Sequence, residues 1–344
     1  MRALVRQLAT VAASNPSGNI LWIADEHELP SDFFPIAKTH GIDVLSNRYD
    51  QYQALLSQGV SATFSDFDFD ALPTHPYDHF FFRVAKERPI VHRVINETAR
   101  TAPEGATLWL AGHKSQGIKT LVKKTEQRFS TNATISRGPN QHWTAACLYR
   151  DSHATPLDDM DYAQLRRVET PHASFWSKPG VFGWNKIDVG SDALVSWIAQ
   201  KPGRLEGKSV LDLGCGYGYL SQQAAAMGAS RIVATDNCAA AITACEKNLD
   251  GSASSVDVVA SNAGIGIDET FDVILCNPPF HQGFSTTPAL HNRFTREIKR
   301  MMKSGGVAWL VVNQFLNIDT VAKTNGLTVR PLSSADGFKI LALT

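Results

Sequence analysis

Apolar and polar positions along this chain recur with two different periods, and the switches between them mark out its elements. From residue 207 onward, short and nearly continuous apolar runs alternate with stretches whose apolar residues return every three or four positions. VLDL (210–213), RIVATD (231–236), VDVVA (256–260), FDVILC (271–276) and VAWLVV (307–312) predict buried strands. YLSQQAAAM, CAAAITACEKNL and a segment near 289–303 predict the helices that follow them. This alternation predicts an α/β fold with a mainly parallel sheet covered on both faces. LTVRPL and FKILALT, separated by SSADG, predict an antiparallel hairpin that finishes the sheet. The first residues, MRALVRQLATVAASNPSG, read as an amphipathic helix without the continuous apolar centre of a secretion signal.

The first half repeats the pattern of the second in the same order. GNILWIADE (18–26) corresponds to GKSVLDLGC (207–215), YDHFFFRVAKE (77–87) to FDVILCNPPFH (271–281), and PEGATLWLAGHK (103–114) to KSGGVAWLVVNQ (303–314). The expected organisation is a worn copy of the domain over 1–155, a linker over 156–190 and an intact domain over 191–344. The copy has lost the second half's motifs. Trp22 stands against Asp212, ADEHELP against the glycine cluster, and RVAK against NPPF.

Composition narrows the setting. No apolar run approaches the roughly 20 residues that span a bilayer, so a soluble, cytoplasmic protein with no membrane partner is expected. The five cysteines form no CxxC pair, which speaks against both a disulfide framework and structural zinc, and no metal is expected. Lys plus Arg equal Asp plus Glu at 33 each, yet the charges are segregated. Residues 1–82 hold ten acids against four bases, whereas 83–137 hold eleven bases against four acids. That basic segment, with Lys86, Lys119 and Lys123, gives the worn domain a surface suited to an anionic partner.

VLDLGCGYGYL sets Gly214, Gly216 and Gly218 between a buried strand and a helix, where the absence of side chains lets a ligand approach the backbone. The spacing alone would serve a dinucleotide, a nucleoside-type cofactor or a tight turn. Asp236, ending the next strand, can accept from both ribose hydroxyls. Asp212, inside the first strand, would repel a pyrophosphate but suits a cationic cofactor. D-L-G-C-G-x-G followed by T-D resembles the S-adenosylmethionine site of class I methyltransferases. The resemblance implies two tandem Rossmann-like domains with seven-stranded, mostly parallel sheets, the N-terminal copy degenerate. It carries Asp236 and Asn237 to the cofactor, Asn262 and the Ala263 amide to the adenine, and Phe182 and Asp188, in PGVFGWNKIDVGSDALVSWI (179–198), to a segment that closes over it.

The strand FDVILC stops at Asn277, and Pro278 and Pro279 supply no N–H, so the chain leaves the sheet rigidly at its carboxyl edge. Ligands of open α/β sheets gather at that edge. Methyl transfer needs a nucleophile held close and in line. An amino group on a base or amide is a weak one. Acceptors aimed at its hydrogens, the Asn277 side-chain oxygen and the Pro278 carbonyl, favour the tetrahedral nitrogen that forms, and Phe280 would stack on the planar acceptor. Alone, NPPF leaves adenine N6, guanine N2 and protein glutamine open. NPPFHQGF, with His281, Gly283 and Phe284, resembles the bacterial 16S rRNA guanine(1207)-N2-methyltransferases. That implies methylation of small-subunit rRNA on the 30S subunit, and because a tandem of two similar domains could replace a homodimer, a monomer is expected. Pro279, His281 and Phe284 would then meet the substrate. Arg293 and Arg296, in the following helix, either hold phosphates or form a solvated face. A non-catalytic RNA-binding assembly factor and a protein-glutamine methyltransferase are the competing readings.

Overall fold

The computed structural model describes residues 2–15, 17–24, 26–150, 153–170, 174–201, 203–279, 288–335 and 337–344. The chain divides into two compact units, Met1–Gln164 and Leu165–Thr344. Among the described residues, no helix is long and apolar enough to cross a membrane.

The first unit opens with α1 (Arg2–Ser14), whose Leu4, Val5, Leu8 and Val11 are buried as the amphipathic pattern predicts. Helices α2 (Phe33–Thr39), α3 (Tyr49–Ser57), α4 (Arg88–Thr101) and α5 (Ile118–Arg128) alternate with its strands, which are β1 (Ile20–Ile23), β2 (Asp43–Ser46), β3 (Ala62–Phe64), β4 (His79–Arg83), β5 (Thr107–His113), β6 (Thr134–Arg137) and β7 (His142–Leu148). They form one sheet in the order β3-β2-β1-β4-β5-β7-β6, with β7 antiparallel to β5 and β6.

The second unit begins with a two-stranded hairpin, β8 (Arg166–Glu169) and β9 (Ser174–Ser177), inside the stretch expected as a linker. Its main sheet is built from β10 (Ser209–Leu213), β11 (Arg231–Asp236), β12 (Ser255–Ala260), β13 (Phe271–Cys276), β14 (Met302–Asn313), β15 (Val329–Ala335) and β16 (Phe338–Leu343). The order β12-β11-β10-β13-β14-β16-β15 repeats that of the first unit strand for strand, and the final hairpin is antiparallel as expected. The tandem α/β fold inferred from sequence is therefore present in both halves.

Strand alternation explains the layering. Val210, Leu275 and Trp309 point into a core on one face, and Leu211, Ile274 and Leu310 into a core on the other. On the first face lie α6 (Val189–Ala199), α7 (Tyr219–Ala226) and α8 (Ala239–Leu249). On the second lies α9 (Pro288–Met301).

Sheet register aligns the two units residue by residue. In the second, Asp212 pairs with Leu275 and Leu275 with Trp309. In the first, Trp22 pairs with Phe81 and Phe81 with Trp109. Trp22 thus occupies the row of Asp212, one residue away from a gapless overlay of the two segments. The three aromatics stack in a ladder, with centroid distances of 6.1 and 5.8 Å and interplanar angles of 10° and 5°. Trp22 is 1% exposed, so its indole fills the room that the second unit leaves for a small carboxylate.

Candidate active site

Alternation along β10 and β13 puts Asp212 and Leu275 on the α6–α8 face, and Asn277, two residues beyond Leu275, on the same side at the carboxyl edge. Between β10 and α7 the glycine turn takes φ values of +84° at Gly214, +55° at Gly216 and +88° at Gly218, a region that side chains disfavour. The three glycines have different reasons. A Cβ on Gly214 or Gly216 would enter open space, so their bareness leaves a cradle. One on Gly218 would lie 2.7 Å from Cys245 Sγ, so this glycine lets α8 pack closely.

Asp212 is fully buried. Its Oδ2 accepts from the Ser221 N–H at 2.9 Å and the Ser221 hydroxyl at 2.6 Å, while Oδ1 is buried with no partner among the described residues. Burial pushes its pKa up to about 7, the nearby negative charge of Asp236 adding to the rise and the two Ser221 hydrogen bonds opposing it. An orphaned carboxylate oxygen beside an open glycine cradle is what a cationic ligand would satisfy. Asp236, at the end of β11, accepts from the Gly216 N–H and the Cys238 N–H, both at 2.9 Å, which ties it to the glycine turn. Asn237 follows it and is partly exposed.

After β12, Ala263 takes φ +56° and Ser261 Oγ accepts from the Gly264 N–H at 2.7 Å, so the loop turns sharply below Asn262. Here α9 reaches in. Arg293 Nη1 donates to Asn262 Oδ1 at 2.9 Å, and Arg300 donates to the carbonyls of Ile267 and Gly264 at 2.6 and 2.9 Å. Arg296 bonds Glu297 at 3.1 Å while remaining exposed. The basic residues of this helix, left open between phosphate contact and a solvated face, thus divide, with Arg293 and Arg300 bracing the loop that carries Asn262.

The two ends of the Asn277 amide are treated differently. Its Nδ2 donates to Asp188 Oδ1 at 2.7 Å and to Ser191 Oγ at 2.9 Å, and its Oδ1 is buried with no partner among the described residues. Asp188 also caps α6 by accepting from the Ser191 N–H at 3.0 Å. The structure thus brings Asp188 to Asn277. Phe182 is 53% exposed. Pro278 is buried and Pro279 exposed; Phe280, His281 and Phe284 lie outside the described residues.

Sequence reasoning missed Ser191, Ser221 and Asn248. Asn248 of α8 donates to the carbonyls of Trp176 and Tyr217, both at 2.7 Å, and accepts from the Trp176 N–H, tying β9 to the glycine turn. Only Ser191 had a signal, the Asp-x-x-Ser spacing of an N-cap and its third helical residue. In the first unit, Lys86, Lys119 and Lys123 are all exposed.

Comparison with known proteins gives the same reading of the fold. The chain is 26% identical over 311 residues to the Ribosomal RNA small subunit methyltransferase C of Shewanella loihica, covering 89% of each protein. It is 25% identical over 298 residues to the protein of that name from Acinetobacter baumannii, covering 85% of this chain and 86% of the relative. The solved structure of the T. thermophilus 16S rRNA N2 G1207 methyltransferase, described as a complex with AdoMet and guanosine, matches with a TM-score of 0.81 at 22% identity. The match covers 99% of this chain and 91% of that one. Residues 172–342, which include the glycine cradle, the oxygens of Asp212 and Asn277 that have no partner among the described residues, and the strand that leads into NPPF, match the Methyltransferase small domain.

Proposed function

We propose that this protein transfers a methyl group from S-adenosylmethionine to the exocyclic N2 of a guanine in 16S ribosomal RNA, as a monomer in the cytoplasm acting on the small subunit. The observation that carries the proposal is the buried Oδ1 of Asn277, which has no partner among the described residues, at the carboxyl edge of the sheet that also bears Asp212. The relatives named for small-subunit rRNA methylation, and the one described with AdoMet and guanosine, support the choice of acceptor.

The residues present fit the cofactor. Gly214 and Gly216 leave backbone room, Asp212 Oδ1 offers an unmatched negative charge to an ammonium or an ordered water, and Asp236 offers a carboxylate to ribose hydroxyls. Asn262 and the Ala263 amide are the candidates for the adenine. When bound, the cofactor supplies an electrophilic methyl on a sulfonium. Asn277 Oδ1 and the Pro278 carbonyl then accept the two N2 hydrogens, so that nitrogen rehybridises with its lone pair facing the methyl. Phe280, outside the described residues, is the candidate to stack on the guanine ring, and the product ammonium loses its proton to water without a dedicated base. Lys86, Lys119 and Lys123 of the first unit engage phosphates.

The test is transfer of labelled methyl to small subunits lacking the modification, with the modified nucleotide mapped by mass. Asn277→Ala should reduce kcat by about 10²–10³, the scale of losing one pre-aimed polar group, and leave binding of S-adenosylhomocysteine within a factor of about three. Label on a protein glutamine, or on no macromolecule, overturns the proposal.

A further inference from the structure

The oxygen and nitrogen of an asparagine amide have nearly the same shape, so which one faces a substrate is decided by what holds the other. For Asn277 both holders sit on the first turn of α6, nearly ninety residues upstream. Asp188 Oδ1 and Ser191 Oγ accept from Nδ2 at 2.7 and 2.9 Å. An ionised carboxylate only accepts, so turning the amide over would set two oxygens against each other at hydrogen-bond distance. The carboxylate is itself fixed, because the same Oδ1 accepts from the Ser191 N–H. Gly190 keeps this turn closely seated. A Cβ there would lie 3.0 Å from the Phe338 ring and 3.1 Å from Asp188 Oδ1.

We propose that Asp188, together with Ser191, is a positioning element that turns Asn277 Oδ1 toward the acceptor amino group. Asp188 thereby serves the methyl acceptor in addition to capping a helix. The inference deepens the methyl-transfer reading and rests on it. It gives the segment 179–190 a role in the rate of transfer, distinct from any covering of the cofactor.

Three variants separate orientation from folding. Serine caps a helix about as well as aspartate but is too short to reach Asn277. Asp188→Ser should therefore keep the melting temperature and the sinefungin affinity while lowering kcat about 10- to 100-fold at unchanged KM for the cofactor. Asn277→Asp alone opposes two carboxylates and should lose about 10³-fold or more. Adding Asp188→Asn supplies an N–H donor to the new carboxylate, and the pair Asn277→Asp, Asp188→Asn should regain at least about tenfold over Asn277→Asp alone. A third readout needs no catalysis. In the ligand-free protein the Asn277 side-chain NH₂ protons should exchange slowly with solvent, and fast in Asp188→Ser. Wild-type kcat in Asp188→Ser, absence of rescue in the pair, or unchanged exchange would each overturn the proposal. If the wild-type protein transfers no methyl to RNA, the functional reading fails, and the exchange measurement still decides the orientation.

Discussion

Asp212 gives the sharpest quantitative prediction, because its two oxygens are treated so differently. One is satisfied by Ser221 and the other is buried with no partner among the described residues. Its pKa is about 7 in the folded chain against 3.8 for the free side chain. Between those values the folded state binds a proton that the unfolded state has released. Stability therefore falls as pH rises from about 4 to about 7 and levels off above that. At 1.36 kcal/mol per unit, the interval from pH 5 to the folded pKa corresponds to about 3 kcal/mol. Asp212→Asn abolishes the titration. The amide brings a desolvation cost of its own, but that cost does not change with pH, so comparing two pH values cancels it. Urea unfolding of residues 165–344 within the full chain, followed at pH 5 and pH 8 without ligand, should show the variant gaining about 2–3 kcal/mol on wild type across the interval. Sinefungin, whose ammonium would answer Oδ1, should stabilise wild type more than the variant at pH 8. Parallel pH profiles for the two proteins would refute the reasoning.

Three further outcomes are expected. Arg293→Ala should free Asn262 and weaken S-adenosylhomocysteine binding by about 1 kcal/mol, read by calorimetry. Unchanged cofactor affinity with weaker RNA binding would return Arg293 to the phosphates. Gly218→Ala forces a Cβ to 2.7 Å from Cys245 Sγ at φ +88°, and should cost about 1–3 kcal/mol, lowering the melting temperature by several degrees. Charge reversal at Lys86, Lys119 and Lys123 should flatten the salt dependence of RNA binding by up to about 0.9 for each phosphate that is no longer neutralised. An unaltered slope removes the first unit's lysines from the interface.

The strands and the glycine turn were legible because their signals are local. An apolar run of five residues, three alternate glycines and a pair of prolines each announce themselves within one element. The duplication was legible for the same reason, and cross-strand register supports setting Trp22 against Asp212, one residue off a gapless overlay. Direction was not legible. The positive charges of 293–303 read equally as phosphate contacts or as a solvated face, yet Arg293 and Arg300 turn inward to a neighbouring loop, and Lys303 bonds Asp272 at 3.0 Å. Nor does any local pattern join Asp188 to Asn277. The Asp-, Pro- and His-containing stretch before α6 resembles a linker, and its purpose emerges only when β13 is brought beside it.

The aromatic ladder of the first unit has a consequence for how such a site can be regained. Replacing Trp22 with aspartate would bury a carboxylate between Phe33 and Phe81, whose rings lie 4.8 and 6.1 Å from the indole, at a cost of several kcal/mol. The reward, binding, would arrive only after the glycine turn and the strand-end motif had also been rebuilt. Each single step back is uphill, so the filled row acts as a ratchet: it lets a duplicated domain drift toward new surfaces while closing the path to its former chemistry.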